Sequence, residues 1–210
     1  MSRPGRILRS VSIKMLSVII AAATLIPALP AGAAPEPPFQ IEFPQEAEPT
    51  EFTSSFGAGR SGGRRHAGND LMAPKMTEVY AAADGIVTVI DTSSLAGRYL
   101  EIAHQQGWST RYIHLNNDDL GTDNGSADWA LTVVPGLRVG SRVEAGQHIG
   151  FVGDSGNAEG AGSHTHFEIA YEGGEINPYE YLTAAYARAV ERQSRPAREM
   201  LHPGEVNHVN

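Results

Sequence analysis

The chain has 210 residues, with 24 acidic against 16 basic side chains and a formal net charge of −8 at pH 7. An acidic chain without a basic stripe is a poor match for nucleic acid. There is no cysteine, so disulfides and a lipidated cysteine anchor are excluded.

The first 33 residues read separately from the rest. Arg3, Arg6, Arg9 and Lys14 precede the apolar run "MLSVIIAAATLIPAL", and the small residues Ala31, Gly32 and Ala33 follow. The run is shorter than the ~20 apolar residues a spanning helix needs. A secretory signal peptide cleaved near Ala33 is expected, by the general secretory route because no twin-arginine pair precedes it. The mature product is then secreted or in the cell envelope, without a membrane segment. Loss of four cations leaves it with a net charge of −12 over 177 residues, enough for one domain with a real core.

Residues 34–51 combine five prolines with five glutamates and are expected to be a stiff, solvated linker with little ability to pack. Short strands punctuated by glycine follow. "EVYAAADGIVTVID" carries Asp84-Gly85, a hairpin signal between apolar runs. "RYLEIAH", "WSTRYIHL", "QHIGFVG" and "HTHFEI" are further strand candidates, the last two joined by a glycine-rich loop. No long helix interrupts the series, so the expected core is mainly β, an antiparallel sheet or partly open barrel. The connection over residues 116–140 is rich in Asp, Asn and Gly. Its aspartates 118, 119, 123 and 128 depart from calcium-loop spacing and are read as a solvated surface loop. One C-terminal helix is expected, with Asn177 as N-cap, Pro178 at the first helical position, and Leu182, Ala185, Tyr186, Ala189 and Val190 on one face. Residues 194–210 are expected to be a loose tail.

Histidines carry the chemistry. Eight of them in 210 residues give about 0.3 H-x-H pairs by chance, so "HTHFEI" alone decides nothing. On a strand, His164, His166 and Glu168 share one face, and Thr165, Phe167 and Ile169 share the other, the core face. In "RRHAGNDL", His66 and Asp70 share a strand face with Gly68, and glycine leaves open space between imidazole and carboxylate. Two such motifs offer the three-ligand, one-open-position set of a catalytic zinc site. "STRYIHL" adds His114, with Tyr112 expected on the same side. His104 and His148 read as structural; His202 and His208 lie in the tail.

Read together, "SSFGAGR", "RHAGNDLMAP", "VYAAADGIV", "GWSTRYIHL", "VEAGQHIGFVGDSG", "HTHFEI" and "NPYEYL" resemble the lysostaphin/LytM family of secreted zinc metallopeptidases that cut peptide bonds in bacterial peptidoglycan. The resemblance runs from about Phe56 to Leu182. It implies the duplicated hybrid motif of those peptidases over 52–183, with the helix end and tail over 184–210. It also implies one Zn²⁺ held by His66, Asp70 and His166, with His114 and His164 as catalytic histidines. The implied activity is that of a zinc metalloendopeptidase acting on stem peptides or cross-bridges of peptidoglycan, as a monomer. The cleaved bond (glycyl, D-Ala–diaminopimelate or stem-peptide) stays open, as does which histidine is the base. Two alternatives accompany this reading: a non-catalytic binding or hydrolase-activator domain, and a zinc protease acting on proteins. Thr165 stands where the family usually has leucine, which implies a small packing loss, and the 116–140 loop exceeds that of the smallest members.

Overall fold

The computed structural model describes residues 36–201, with side chains as far as residue 194. Nine strands and one helix follow in order: β1 (Asn69–Met72), β2 (Glu78–Tyr80), β3 (Gly85–Ser93), β4 (Gly97–Ala103), β5 (Trp108–Leu115), β6 (Arg142–Val143), β7 (His148–Phe151), β8 (His164–Tyr171), β9 (Gly174–Ile176) and α1 (Tyr179–Leu201). The main sheet runs β1-β8-β5-β4-β3-β6, with β9 also on β8, and every pairing in it is antiparallel. A second, two-stranded sheet pairs β2 with β7. The fold is therefore mainly β with a single described helix, as expected.

Strand alternation sets the two faces of the main sheet. Thr165, Phe167 and Ile169 are fully buried on the core face of β8. Phe167 sits opposite Tyr112 of β5, ring centroids 5.4 Å apart. Burying an apolar side chain of this size contributes about 1.5–3 kcal/mol. The tyrosine hydroxyl is satisfied too, by the Ala82 N–H at 2.7 Å and the Thr110 hydroxyl at 3.1 Å.

Several expectations need correction. Residues 34–51 do not form a solvated linker along their described length: Ile41, Phe43, Gln45, Ala47 and Thr50 are buried. The segment runs beside β2, where the Tyr80 N–H donates to Pro44 O and the Glu46 N–H to Glu78 O. Phe43 meets Tyr186 of α1 with ring centroids 5.2 Å apart. Its prolines and glutamates obscure a period-two apolar series, Phe39, Ile41 and Phe43, that marks a strand-like edge.

Asp84-Gly85 is not a hairpin turn, because β2 and β3 belong to different sheets. Gly85 instead permits close approach of chains: a Cβ there would lie 2.6 Å from Ala103 O. At α1, Asn177 caps the helix by accepting from the Tyr179 N–H at 3.1 Å. The helix then continues through Pro196 to Leu201, beyond the expected end. Elongation from a docked helix requires little per residue, and the proline removes one donor there. The tail beyond residue 201 and the N-terminal 35 residues lie outside the described residues.

The 116–140 connection is anchored to the body. Lys75 Nζ lies 2.7 Å from Asp118, 2.6 Å from Asp123 and 2.9 Å from Asp154. These three carboxylates come close enough together to hold an ion, and an ammonium group stands among them. Asp128 caps a short 3-10 turn, accepting from the Ala130 N–H. Asp119 accepts from the Asn124 amide. Asp119, Asp123 and Asp128 are exposed, as expected of a solvated loop, but Asp118 is buried, held there by Lys75.

Thr165 brings a polar group onto the core face of β8. Its side chain is fully buried and its Oγ1 has no hydrogen-bond partner among the described residues. An isosteric Thr165→Val removes that unsatisfied hydroxyl and is expected to stabilise the fold by about 1 kcal/mol. Urea unfolding of the two proteins measures it, and a lower midpoint for the valine variant would contradict this account.

Candidate active site and metal centre

The register of β1 on β8 assembles the site. Asp70 pairs with His166, and Met72 with His164. His66 reaches the same point from the extended segment before β1, fixed by its N–H to Ala58 O and by Gly57 N–H to its own carbonyl. Gly68 serves this approach in a way its sequence context hides. It does not open space for a metal: the Phe167 carbonyl fills that space, 2.1 Å from where a Cβ would stand.

Three atoms converge. His66 Nε2 lies 2.8 Å from His166 Nδ1, and both lie 2.9 Å from Asp70 Oδ1. The outer nitrogen of each imidazole is already engaged. His66 Nδ1 donates to Ser55 O at 2.9 Å, and His166 Nε2 donates to the Glu168 carboxylate at 3.0 Å. Such partners fix the tautomer that turns a lone pair inward. Two lone pairs and a carboxylate oxygen facing one another repel unless positive charge sits among them. A proton meets part of that demand. Burial alone would lower His166, but its hydrogen bonds to Asp70 and Glu168 outweigh burial and raise it above the ordinary histidine range. Burial likewise raises Asp70, yet His166 and His66 hold its carboxyl well below the usual carboxylate range. A divalent cation satisfies all three donors together, and an N,N,O set with room for a further ligand suits zinc. The donor set fits the metal expected from the sequence.

His114 and His164 flank this centre. Their rings are 5.0 Å apart, and His164 Nε2 is 3.8 Å from Asp70 Oδ1. Each donates through Nδ1 to a backbone carbonyl, His114 to Ser155 O at 2.8 Å and His164 to Gly162 O at 2.7 Å. Their Nε2 atoms are thereby left as acceptors. Burial, with His164 beside it, pushes His114 down to about 4, so it is neutral at pH 7. One expectation fails here. His114 and Tyr112 do not share a side, because His114 has φ = +64° and sits in a bulge where Ile113 and His114 oppose Tyr99 alone. The left-handed residue turns its ring out of the core face and into the site.

The chain's sequence matches the model of peptidase family M23 over residues 64–126 and 130–178. The chain belongs to this family. Among curated relatives of the M23 chain is the peptidoglycan DD-endopeptidase ShyC of Vibrio cholerae, 31% identical over 115 residues. That match covers 55% of this chain and 22% of ShyC. A zinc-containing peptidase from Vibrio cholerae superposes with a TM-score of 0.52 at 26% identity, covering 66% of this chain and 39% of that one. The catalytic domain of lysostaphin from Staphylococcus simulans shares the fold, with a TM-score of 0.51 at 21% identity over 65% of this chain and 95% of that one.

The five site residues expected from sequence, His66, Asp70, His114, His164 and His166, come together in one groove of about 920 Å³. His104 and His148 do not join them. His104 bridges Asp84 O and the Thr110 hydroxyl, and His148 contacts Gly150 O. His202 and His208 lie outside the described residues. Sequence reasoning gave no role to Glu168, although its alternation with His164 and His166 placed it on the site face. Nor did it find Arg60, whose guanidinium binds the second oxygen of Asp70 at 2.6 Å. The carbonyls of Ser55, Ser155 and Gly162 carry no side-chain signal at all.

Two measurements follow from this geometry. The purified protein is expected to hold close to one zinc, and His166→Ala to hold almost none, since one of three donors is gone. Glu168→Gln keeps the donors but weakens the orientation of His166. Its zinc affinity, read by competition with a chromophoric chelator, is expected to fall about 10–100-fold. Unchanged affinity would remove Glu168 from the site.

Proposed function

We propose that this M23 protein is a zinc-dependent endopeptidase that hydrolyses peptide bonds of peptidoglycan outside the cytoplasm. The observation that carries the reading is the meeting of three inward-facing donors with two further imidazoles, each locked by a backbone carbonyl, on one wall of an open groove. A non-catalytic binding domain needs none of those tautomers fixed. The name borne by the relative ShyC supports the substrate. The charged N-terminal residues and the apolar run before Ala33 support export.

His66, Asp70 and His166 would hold the zinc ion, which would supply Lewis acidity and lower the pKa of water at the site. The remaining work falls to the chain's own groups. His114 and His164 accept a proton at Nε2 and orient the nucleophile, because their Nδ1 atoms are committed to Ser155 O and Gly162 O. The protonated ring then steadies the developing oxyanion and returns its proton to the departing amine. His114, neutral at pH 7, begins each cycle able to accept.

His164→Ala and His114→Ala are each expected to keep zinc and to lose about 10²–10⁴-fold in kcat, the usual weight of a positioned acid or base. Zinc content and release of fragments from purified peptidoglycan, followed by mass spectrometry, test both variants. If neither substitution slows cleavage, the hydrolytic reading fails. Export is tested separately: the N-terminus of protein recovered outside the cytoplasm is expected near Ala34, and an intact Met1 on it would refute processing.

A further inference from the structure

The groove has a charge unlike that of the chain that builds it. Against a net charge of −8 overall, its walls carry four arginines (60, 64, 65 and 111) and three carboxylates (Asp70, Glu101 and Glu168). Every one of those carboxylates is already partnered: Asp70 by Arg60, and Glu101 and Glu168 by Arg111. Arg64 and Arg65 have no carboxylate within ion-pair distance among the described residues. They touch only neutral oxygens of their own turn. Arg64 donates to Ser61 O at 3.3 Å and Ser61 Oγ at 3.4 Å, and Arg65 to Gly57 O at 3.0 Å. Each guanidinium has five donors, so most of the donors of these two groove-lining, exposed side chains have no protein acceptor among the described residues.

The two arginines are held at a fixed offset from the metal donors. Gly59 bridges Arg65, and the Arg60 N–H donates to Arg64 O at 2.9 Å, closing a small hairpin with Gly62 and Gly63 in left-handed conformation at its tip. The hairpin is tied to the site at three points: Gly57 to His66, His66 to Ala58, and Arg60 to Asp70. It lies at the β1 end of the sheet. The sheet order puts Val89, Tyr99 and Leu95 at the far end, across β8 and β5. A peptide crossing the metal donors therefore meets unpaired cations at the β1 edge and, on the other side, the neutralised Arg111–Glu101 pair with Val89, Tyr99 and Leu95 beyond it.

We propose that Arg64 and Arg65 form a carboxylate-recognition subsite, so that the protein selects peptides carrying an ionised carboxylate beside the cleaved bond, acidic stem peptides over neutral glycine bridges. The guanidinium fork matches a carboxylate through two parallel hydrogen bonds, and a glycine chain offers no such partner. The proposal rests on the peptidoglycan-peptide reading given above and specifies its substrate.

The test uses the zinc-loaded protein and the double variant Arg64→Gln/Arg65→Gln. The substrates are one cross-linked peptidoglycan peptide with its carboxylates free, the same peptide amidated, and pentaglycine blocked as its N-acetyl amide. The wild type is expected to favour the free acid by about tenfold in KM, with kcat nearly equal. The double variant loses that preference while its zinc content and its kcat on the amidated peptide stay unchanged. Arg64→Lys/Arg65→Lys keeps charge without the fork and recovers part of the preference. Equal KM values for free and amidated peptide in the wild type, or a preference that survives in the double variant, would overturn the subsite. Should the zinc-loaded wild type cleave none of the three, hydrolysis is what fails. Calorimetric binding of free-acid against amidated peptide to wild type and double variant then decides recognition by the same criterion.

Discussion

The pairing of β1 with β8 is the constraint on which the rest of the molecule depends. Asp70 opposite His166 is a matter of register, and a slip of one residue would turn Asp70 to the core and send Leu71 into the groove. The register is held from the other face, where Leu71 and Thr165 are a buried pair and Phe167 stacks on Tyr112. Gly68 lets the incoming chain lie against the Phe167 carbonyl, so that His66 arrives beside the strand pair. Apolar burial on one face thus fixes the position of donor atoms on the other. Metal ligands on sheet strands gain their precision in this way.

Backbone carbonyls supply the second layer of control. Ser55, Ser155 and Gly162 each accept from an imidazole Nδ1, and together they decide which nitrogen faces the groove. Ser155 is itself clamped: its hydroxyl donates to Leu115 O and accepts from the Arg98 N–H. Gly97 lies so close that a Cβ there would stand 2.2 Å from the serine oxygen. The glycine-rich loop ahead of β8 is therefore pinned in its first half. His114 meets it through a left-handed residue in a bulge, a conformation that costs about 1–3 kcal/mol and is held by the surrounding ladder.

Lys75 links this region to the long connection. One ammonium meets carboxylates from residues 118, 123 and 154, and Asp118 and Asp154 are buried. Buried carboxylates left without their cation are strongly destabilising, by about 3–5 kcal/mol. Asp154 immediately precedes Ser155, so the same contact steadies the carbonyl that orients His114. The connection is exposed at its tip but joined by charge to Asp154, next to Ser155.

How much of this was legible in the chain follows from where each signal resides. Alternation along "HTHFEI" assigned His164 and His166 to one face and Phe167 to the core, because strand geometry is local and has a fixed period. The capping pattern at Asn177 and Pro178 was equally local. The joining of His66, Asp70, His114, His164 and His166 followed from the order of family motifs, which encodes a topology no single segment contains. Other features were decided only by tertiary structure. Period-two burial of Phe39, Ile41 and Phe43 was masked by five prolines and needed β2 as a partner before it had meaning. Gly68 and Gly85 are glycine because distant carbonyls approach them, and distance in space leaves no mark on neighbouring residues. The φ of His114 comes from a register shift between β4 and β5. Local composition determined which residues could bind a metal and which could form strands; the tautomers, the bulge and the tethered arginine hairpin came from hydrogen bonds between segments far apart in sequence.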